Sequence, residues 1–454
     1  MFETLKNIGI KVDADYFDIR YEKKSETKII FDGKELTQLT SNSTDGYVLR
    51  VLKDGGLASI AFTRFEEAEK AIKQVLENAR LIAKNSQKKV VLAPVEVKKE
   101  RFIPHLNQDP RKLSIDEKLE LTRRYNEIPL RVKKIATTHI GYLEVSREKY
   151  FISSEGAEIA EELVTTRING TITSRDGNLI QTVRVGIGGS DGFGRLRNQD
   201  EHFEKKTSIA LQLLRAEPIP AGNYNVILNQ SMAGVFTHEA FGHFSEADLI
   251  EDNPTMREKM KLNAQLGSEI LNIKDDPTIP HQLGFYKYDD EGVEAKPTQL
   301  LKNGVLVGRL HSRRTATVFG EPPNGHCVAE DFRYAPIIRM GTIFIEPDRF
   351  TLDQLLEELG DGYYIIDAKG GQTSGENFTF GAQYGYVVKK GKLGSMVRDI
   401  NISGNLYKTL MNISMIGNDL ELCQIGGCGK GQLNIRSCNG SPHILIKDVV
   451  IGGI

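Results

Sequence analysis

Apolar residues early in the chain recur at every second position, and beyond residue 62 their period lengthens to about 3.6. Residues 16–21, 27–31, 46–52 and 58–62 therefore read as strands of a meander, with Asp32-Gly33 and Asp54-Gly55-Gly56 as turns that tolerate positive φ. Over residues 63–84 the residues Phe65, Ala68, Ile72, Val75, Leu76, Ala79 and Ile82 form one stripe, which predicts an amphipathic helix. The opposite face carries Glu66, Lys70, Lys73 and Glu77. A meander followed by such a helix is an α+β unit, with the helix covering one face of the sheet.

Residues 85–110 are Lys-rich and interrupted by Pro94, Pro104 and Pro110, which marks a subdomain junction. A second helix is predicted over 115–125 behind Ser114 as N-cap, followed by strands at 134–146, 148–153, 158–173 and 180–187. The glycine-rich run from Gly186 to Gly194 lacks the Gly-Lys-Ser/Thr ending of a phosphate loop and the dinucleotide spacing, so it reads as a mobile loop. A third helix spans 198–216, and Pro218-Ile219-Pro220-Ala221-Gly222 sets the main boundary. Residues 1–220 form an α/β-sandwich-like α+β domain in this reading, and 221–454 a β-rich catalytic domain. In the latter, the strand 224–228 feeds a helix that begins near Asn229. The remainder is glycine-rich strand: a hairpin over 300–311, strands at 337–345, 363–367, 377–380, 384–388 and 394–403, and a helix at 351–359 stopped by Gly360.

At 454 residues the chain exceeds one ordinary core, and 39% hydrophobic with 26% charged residues describes a soluble globular protein. A net charge of −2 gives no electrostatic case for nucleic acid or for an anionic membrane. No apolar run is long enough to span a bilayer, and the residues from Met1 to Lys6 do not resemble a signal peptide. Four cysteines, Cys327, Cys423, Cys428 and Cys438, are too few for a disulfide framework, and a cytoplasmic location is expected.

The chemistry concentrates at His238-Glu239-Ala240-Phe241-Gly242-His243, two imidazoles and a carboxylate that could hold a divalent metal beside a general base. Histidines at i and i+4 share a helix face, whereas i and i+5 stand roughly 140° apart in a regular α-helix. A π-type turn, or a helix that ends at Gly242, would bring the rings back together. Catalytic zinc needs a third protein ligand, and the candidates are Glu246 and Asp248 nearby and Cys428 and Cys423 far along the chain. Gly426-Gly427-Cys428-Gly429-Lys430-Gly431 presents Cys428 on bare backbone, with Lys430 placed to favour its thiolate. Against this stands the plain alternative of core histidines and an inert buried thiol.

Together with Tyr288-Asp289-Asp290-Glu291-Gly292-Val293, the late Gly427-Cys428-Gly429-Lys430-Gly431-Gln432 and the Gly370-Gly371-Gln372 segment, this pattern resembles the TldD/PmbA (TldE) family, nearest its metal-binding TldD branch. The resemblance implies a zinc metalloprotease acting on unfolded peptides, with His238, His243 and Cys428 as ligands of Zn(2+) and Glu239 as general base to an activated water. It further implies a dimer with an enclosed site, either a homodimer or a heterodimer with a TldE/PmbA-like sister subunit. An extended peptide would add as a strand to a free sheet edge near the metal. His326 is the one candidate for an extra oxyanion donor, against the plainer reading of a loop residue. The alternatives are a metal-free, non-catalytic partner or regulatory subunit of a protease dimer, and a zinc hydrolase of small amides.

Overall fold

The computed structural model of the protein describes residues 1–424 and 426–452. Its first half is built on one seven-stranded sheet. In chain order the elements are α1 (Phe2–Gly9), β1 (Tyr16–Asp32), β2 (Glu35–Lys53), β3 (Gly56–Phe62), α2 (Ala68–Asn85), β4 (Lys99–Phe102), α3 (Ile115–Leu130), β5 (Ile135–Ser153), β6 (Glu158–Asp176), β7 (Leu179–Gly189) and α4 (Asp200–Leu213). Strand order is β3-β2-β1-β5-β6, after which β6 takes β4 in parallel near its start and β7 antiparallel along its later part.

All four helices cover one face. Leu5, Ile8, Ile72 and Val75 pack on Ile19 and Leu49, while Leu121, Tyr125, Phe203 and Leu213 pack on Ile29, Phe31 and Ile140. The other face of the central strands is charged, and Asp18, Arg20, Glu22, Arg147 and Lys149 are buried there. This explains why residues 16–21 and 27–31 read as two strands when β1 is a single strand of 17 residues. Of the polar residues between them only Glu22 is buried, Lys23 is exposed and Lys24, Ser25 and Glu26 are half-buried, yet the backbone pairing continues through all five, so the break in hydrophobicity is not a break in structure.

The second half opens with β8 (Glu217–Pro218) and β9 (Gly222–Leu228). β9 lies between Gly362–Ser374 and Ile444–Gly452. Ile444–Gly452 pairs with Ile400–Asn405, that strand with Asn377–Lys389, and Asn377–Lys389 returns to Gly362–Ser374. These five strands thus close into a ring. A separate six-stranded sheet carries Ile273–Asp275, Thr342–Ile345 and Cys438–Ser441 among its members. Between ring and sheet lies α5 (Gln230–Phe236), whose Met232, Ala233 and Phe236 belong to the largest apolar core. Phe236 meets Phe378 of the ring edge-on, with centroids 5.4 Å apart.

Three expectations are corrected. Gly186 to Gly189 are ordered strand within β7, and Ser190 N–H donates to His281 O at 3.0 Å, so the glycine run is not a mobile loop. The strand expected over 337–345 divides into Ile337–Ile338 and Thr342–Ile345. The strand expected over 394–403 is broken at Asp399, whose φ of 57° turns the backbone between two strands. Among the described residues, no helix is long and apolar enough to cross a membrane.

Candidate metal centre

Asn229 caps α5, its side chain accepting from Met232 N–H at 3.0 Å. The helix then widens into a π turn over Thr237–Phe241, in which Gly242 N–H donates to Thr237 O five residues back, and it tightens to a 3-10 turn over Gly242–Ser245. A π turn holds one more residue than an α turn, so residues at i and i+5 come to share a face. The His238 and His243 rings stand perpendicular with centroids 5.4 Å apart. The irregularity expected near Gly242 is present, although the deviating backbone is that of Phe241, with φ of −117°. Gly242 itself has an ordinary helical φ of −55°. Its role is steric, because a Cβ there would lie 2.1 Å from Met340 Sδ.

One donor atom from each of His238, Glu239, His243 and Cys428 lies within 4.8 Å of every other. Cys428 Sγ is 3.6 Å from His243 Nε2, and Glu239 Oε2 is also 3.6 Å from that nitrogen. Tetrahedral zinc, with bonds of about 2.3 Å to sulfur and about 2.05 Å to nitrogen, separates the two donors by about 3.6 Å. His238 Nδ1 is buried with no partner among the described residues. The donor set of two imidazoles, a thiol and a carboxylate suits zinc chemically. Cys428 comes from a hairpin arm that pairs with Ile435 through two backbone hydrogen bonds of 3.1 Å.

The electrostatics favour a thiolate. Burial pushes the Cys428 thiol up, but hydrogen bonds from His238 and His243 and the nearby Arg339 charge outweigh it and bring it to about 6. For His243, burial acts downward and is overcome by Cys428 and Glu246, which raise it to about 10. Glu246, fully buried, faces His243 Nδ1 at 3.3 Å, on the ring nitrogen opposite the cluster. Lys430 Nζ reaches Glu246 at 3.0 Å and Asp248 at 2.8 Å, and Arg339 lies 3.4 Å from the other Glu246 oxygen.

The sequence matches the profile described as PmbA/TldA metallopeptidase C-terminal domain over residues 221–453, and those of the family's domain 1 and central domain over 17–83 and 108–216. The chain belongs to the PmbA/TldD family. A Synechocystis sp. protein named a metalloprotease is 35% identical over 443 residues, which span 97% of this chain and 95% of that one. A Saccharolobus solfataricus protein named a zinc metalloprotease TldD homolog is 29% identical over the full length of both chains. The fold is also that of TldE from Thermococcus kodakarensis, with a TM-score of 0.81 at 20% identity and complete coverage of both chains.

Within this PmbA/TldD chain, several residues singled out in the sequence fall outside the donor cluster. Glu246 and Asp248 are not in it: the first orients His243 and the second holds Lys430. Lys430 therefore serves the two carboxylates and Ile338 O, and among the described residues it makes no hydrogen bond to the thiol of Cys428. Cys423 lines the adjoining cleft. His326 is fully buried with its ring nitrogens on Asp275 and Asn324, away from the cleft lining, which removes it as an oxyanion donor. The segment from Tyr288 to Val293, also prominent in the sequence, serves packing. Asp290 pairs with Arg20 at 3.1 Å and Lys149 at 3.2 Å, and Glu291 pairs with Arg50 at 2.6 Å. This ties the second half to the charged face of the first sheet. Sequence reading missed Arg339 altogether and mistook the part of Glu246. The His243-x-x-Glu246 spacing was the available signal, because i and i+3 side chains meet on a helical turn.

The cluster opens on a cleft of about 460 Å³. His238 and Glu239 form part of its wall, facing Val185, Gly186 and Ile187 of β7 and residues 422–424. Among the described residues β7 has β6 as its one strand neighbour, and beyond Ile365 the strand Gly362–Ser374 has Asn377–Lys389. On their outer edges Arg184 N–H donates to Gln383 Oε1 at 2.8 Å and Asp367 N–H to Asn229 Oδ1 at 3.0 Å, and the other edge positions face no strand. Two open strand edges thus border the cleft. Thr373 Oγ1 on the second of them donates to Glu239 O at 3.1 Å, which fixes the backbone of the carboxylate in the donor cluster.

Proposed function

We propose that this chain is a zinc-dependent peptidase that hydrolyses peptide bonds in extended, unfolded peptides. The observation that carries the reading is the convergence of His238, Glu239, His243 and Cys428 within 4.8 Å at a cleft bordered by open strand edges. His238, His243 and Cys428 hold the metal, and Glu246 fixes the His243 ring through Nδ1. When bound, zinc would supply a Lewis acid and lower the pKa of a bound water to about 7. Glu239, half-exposed and next in sequence to a ligand, accepts a proton from the attacking water and returns it to the leaving amine. The open edges of β7 and Gly362–Ser374 offer backbone groups to an extended substrate, so selection rests on lack of structure more than on side chains. Cytoplasmic operation, paired with a second copy or with a TldE/PmbA-like sister subunit, belongs to the same proposal.

The test uses zinc analysis and cleavage of a disordered peptide together. Wild-type protein should carry one zinc per chain, and Cys428→Ala should lose it. Glu239→Gln should keep the zinc and lower kcat by about 10²- to 10⁴-fold. Wild-type protein that takes up no zinc would make this chain a metal-free partner. Normal cleavage by Glu239→Gln would remove Glu239 as the base, and cleavage confined to dipeptide amides would replace the substrate class.

A further inference from the structure

A second cavity, of about 150 Å³, lies between the charged face of the N-terminal sheet and the Cys428 hairpin. Lys24 and Lys28 of β1 and Arg167 of β6 form its floor, and Gly426, Gly427 and Arg436 its roof. Most charges around it are matched. Lys28 pairs with Glu26 at 2.7 Å, Lys24 is 3.6 Å from Asp331, and Arg147, also on the wall, pairs with Glu22. Glu330, the remaining acidic side chain of the lining, accepts the N–H groups of Leu433 and Asn434.

Arg167 and Arg436 are not matched. Neither has a carboxylate within the 4.0 Å of an ion pair among the described residues. Among the described residues Arg167 donates to Gly426 O alone, at 3.3 Å. Arg436 donates to Ser190 Oγ at 2.8 Å, to Phe285 O at 3.1 Å and to Thr165 Oγ1 at 2.5 Å. The Nε of each is buried and without a partner. Burial disfavours the charged form of both, and for Arg436 the like charge of Arg147 adds to it. Two guanidinium groups held against neutral acceptors in one cavity are costly, since their desolvation is offset by no carboxylate charge at ion-pair distance and only in part by the more distant Glu26 and Glu161. An anion entering the cavity supplies that charge, and the planar, forked donors of arginine suit a carboxylate.

Gly426 and Gly427 line both this cavity and the metal cleft, and Cys428 follows them directly. A group bound there sits beside the ligand hairpin. We infer that Arg167 and Arg436 form a carboxylate-binding subsite next to the metal cleft, which takes the C-terminal carboxylate or an acidic side chain of a peptide lying in that cleft. The inference rests on the peptidase reading for the identity of the ligand, and on the unpaired arginines for the site itself.

Zinc-loaded full-length protein carrying Glu239→Gln binds peptides without turning them over, so affinity can be read by fluorescence anisotropy. Four matched disordered peptides separate the two sources of carboxylate: a free C-terminal acid, its amide, the amide with one internal Glu, and the amide with Gln in its place. At least one acidic peptide should bind about tenfold tighter than its neutral counterpart, and Arg167→Gln or Arg436→Gln should abolish that difference while leaving the neutral peptides unchanged. The comparison between peptides needs no arginine variant, so it stands even where such a variant fails to fold. Equal affinity for acidic and neutral peptides overturns the subsite and leaves the peptidase reading intact. If no peptide binds, the peptidase reading fails, and inorganic phosphate becomes the probe. A rise in thermal midpoint with phosphate that is lost in Arg167→Gln or Arg436→Gln supports an anion site, and no such rise overturns it.

Discussion

Glu246 has no exposed surface, and three groups converge on it: His243 Nδ1 at 3.3 Å, Lys430 at 3.0 Å and Arg339 at 3.4 Å. Burial raises its carboxyl, but His243, Arg339 and Lys430 outweigh burial and hold it below the usual carboxylate range. An ionised Glu246 accepts the Nδ1 proton of His243, and this leaves Nε2 free to face Cys428 Sγ and to serve as a metal donor. Glu246→Gln should therefore weaken zinc affinity by about 10- to 100-fold, measured by competition with a chelator, with secondary structure retained. Unchanged affinity would reduce Glu246 to a partner of Lys430 and Arg339 alone. At this scale the sequence named the four residues whose donor atoms the fold brings within 4.8 Å, and it also offered Glu246 as a possible ligand, because its one-turn spacing from His243 does not tell which ring nitrogen it meets.

The π turn is the element on which the site depends, since it brings two histidines five residues apart to one side. Its exit packs tightly, with a Cβ at Gly242 placed 2.1 Å from Met340 Sδ and 3.1 Å from Ile343 Cδ1. Gly242→Ala should cost about 1–3 kcal/mol by overpacking and lower both the thermal midpoint and the bound zinc. Met340→Ala in the same chain should recover part of both. A Gly242→Ala protein with unchanged midpoint would show that Met340 has room to move. The need for an irregular turn was legible in the i, i+5 spacing, because helix geometry is local. That glycine is required by a side chain about a hundred positions away was not. Long strands were likewise under-read in β1, where a charged but buried face masks the period of two.

Buried ion pairs inserted from one loop help to join the two halves of the molecule. Asp290 meets Arg20 and Lys149, and Glu291 meets Arg50, all buried. Gly292 makes the turn that presents them: its φ is 76°, and a Cβ would lie 2.4 Å from Phe151 Cε1. Asp290→Asn leaves buried cations under-compensated and should destabilise the protein by about 3–5 kcal/mol in denaturant titration at neutral pH. Burial raises Asp290, but Arg20, Lys149 and Arg147 outweigh it and hold the folded carboxyl well below its ordinary range. Its contribution is therefore full above the unfolded value of about 3.9 and is lost as pH falls toward the folded one. The gap between wild type and Asp290→Asn should accordingly narrow below about pH 4. A gap that widens there would reverse the sign of the coupling.

By itself the sequence determined most helices and strands, the His238–His243 motif and the need for a distorted turn within it. Each of these is set by residues within a few positions of one another, where backbone period and turn chemistry act. Only the tertiary structure placed the Cys428 thiol against His243, 185 positions away, and Cys423 in the wall of the adjoining cleft. It also took His326 into a buried pair with Asp275, gave Glu246 to the far side of His243, and left Arg167 and Arg436 facing one cavity without a carboxylate. Which groups meet across such distances depends on the path of the closed strand ring and on the buried charges that fasten it to the first sheet, and no local pattern records that path.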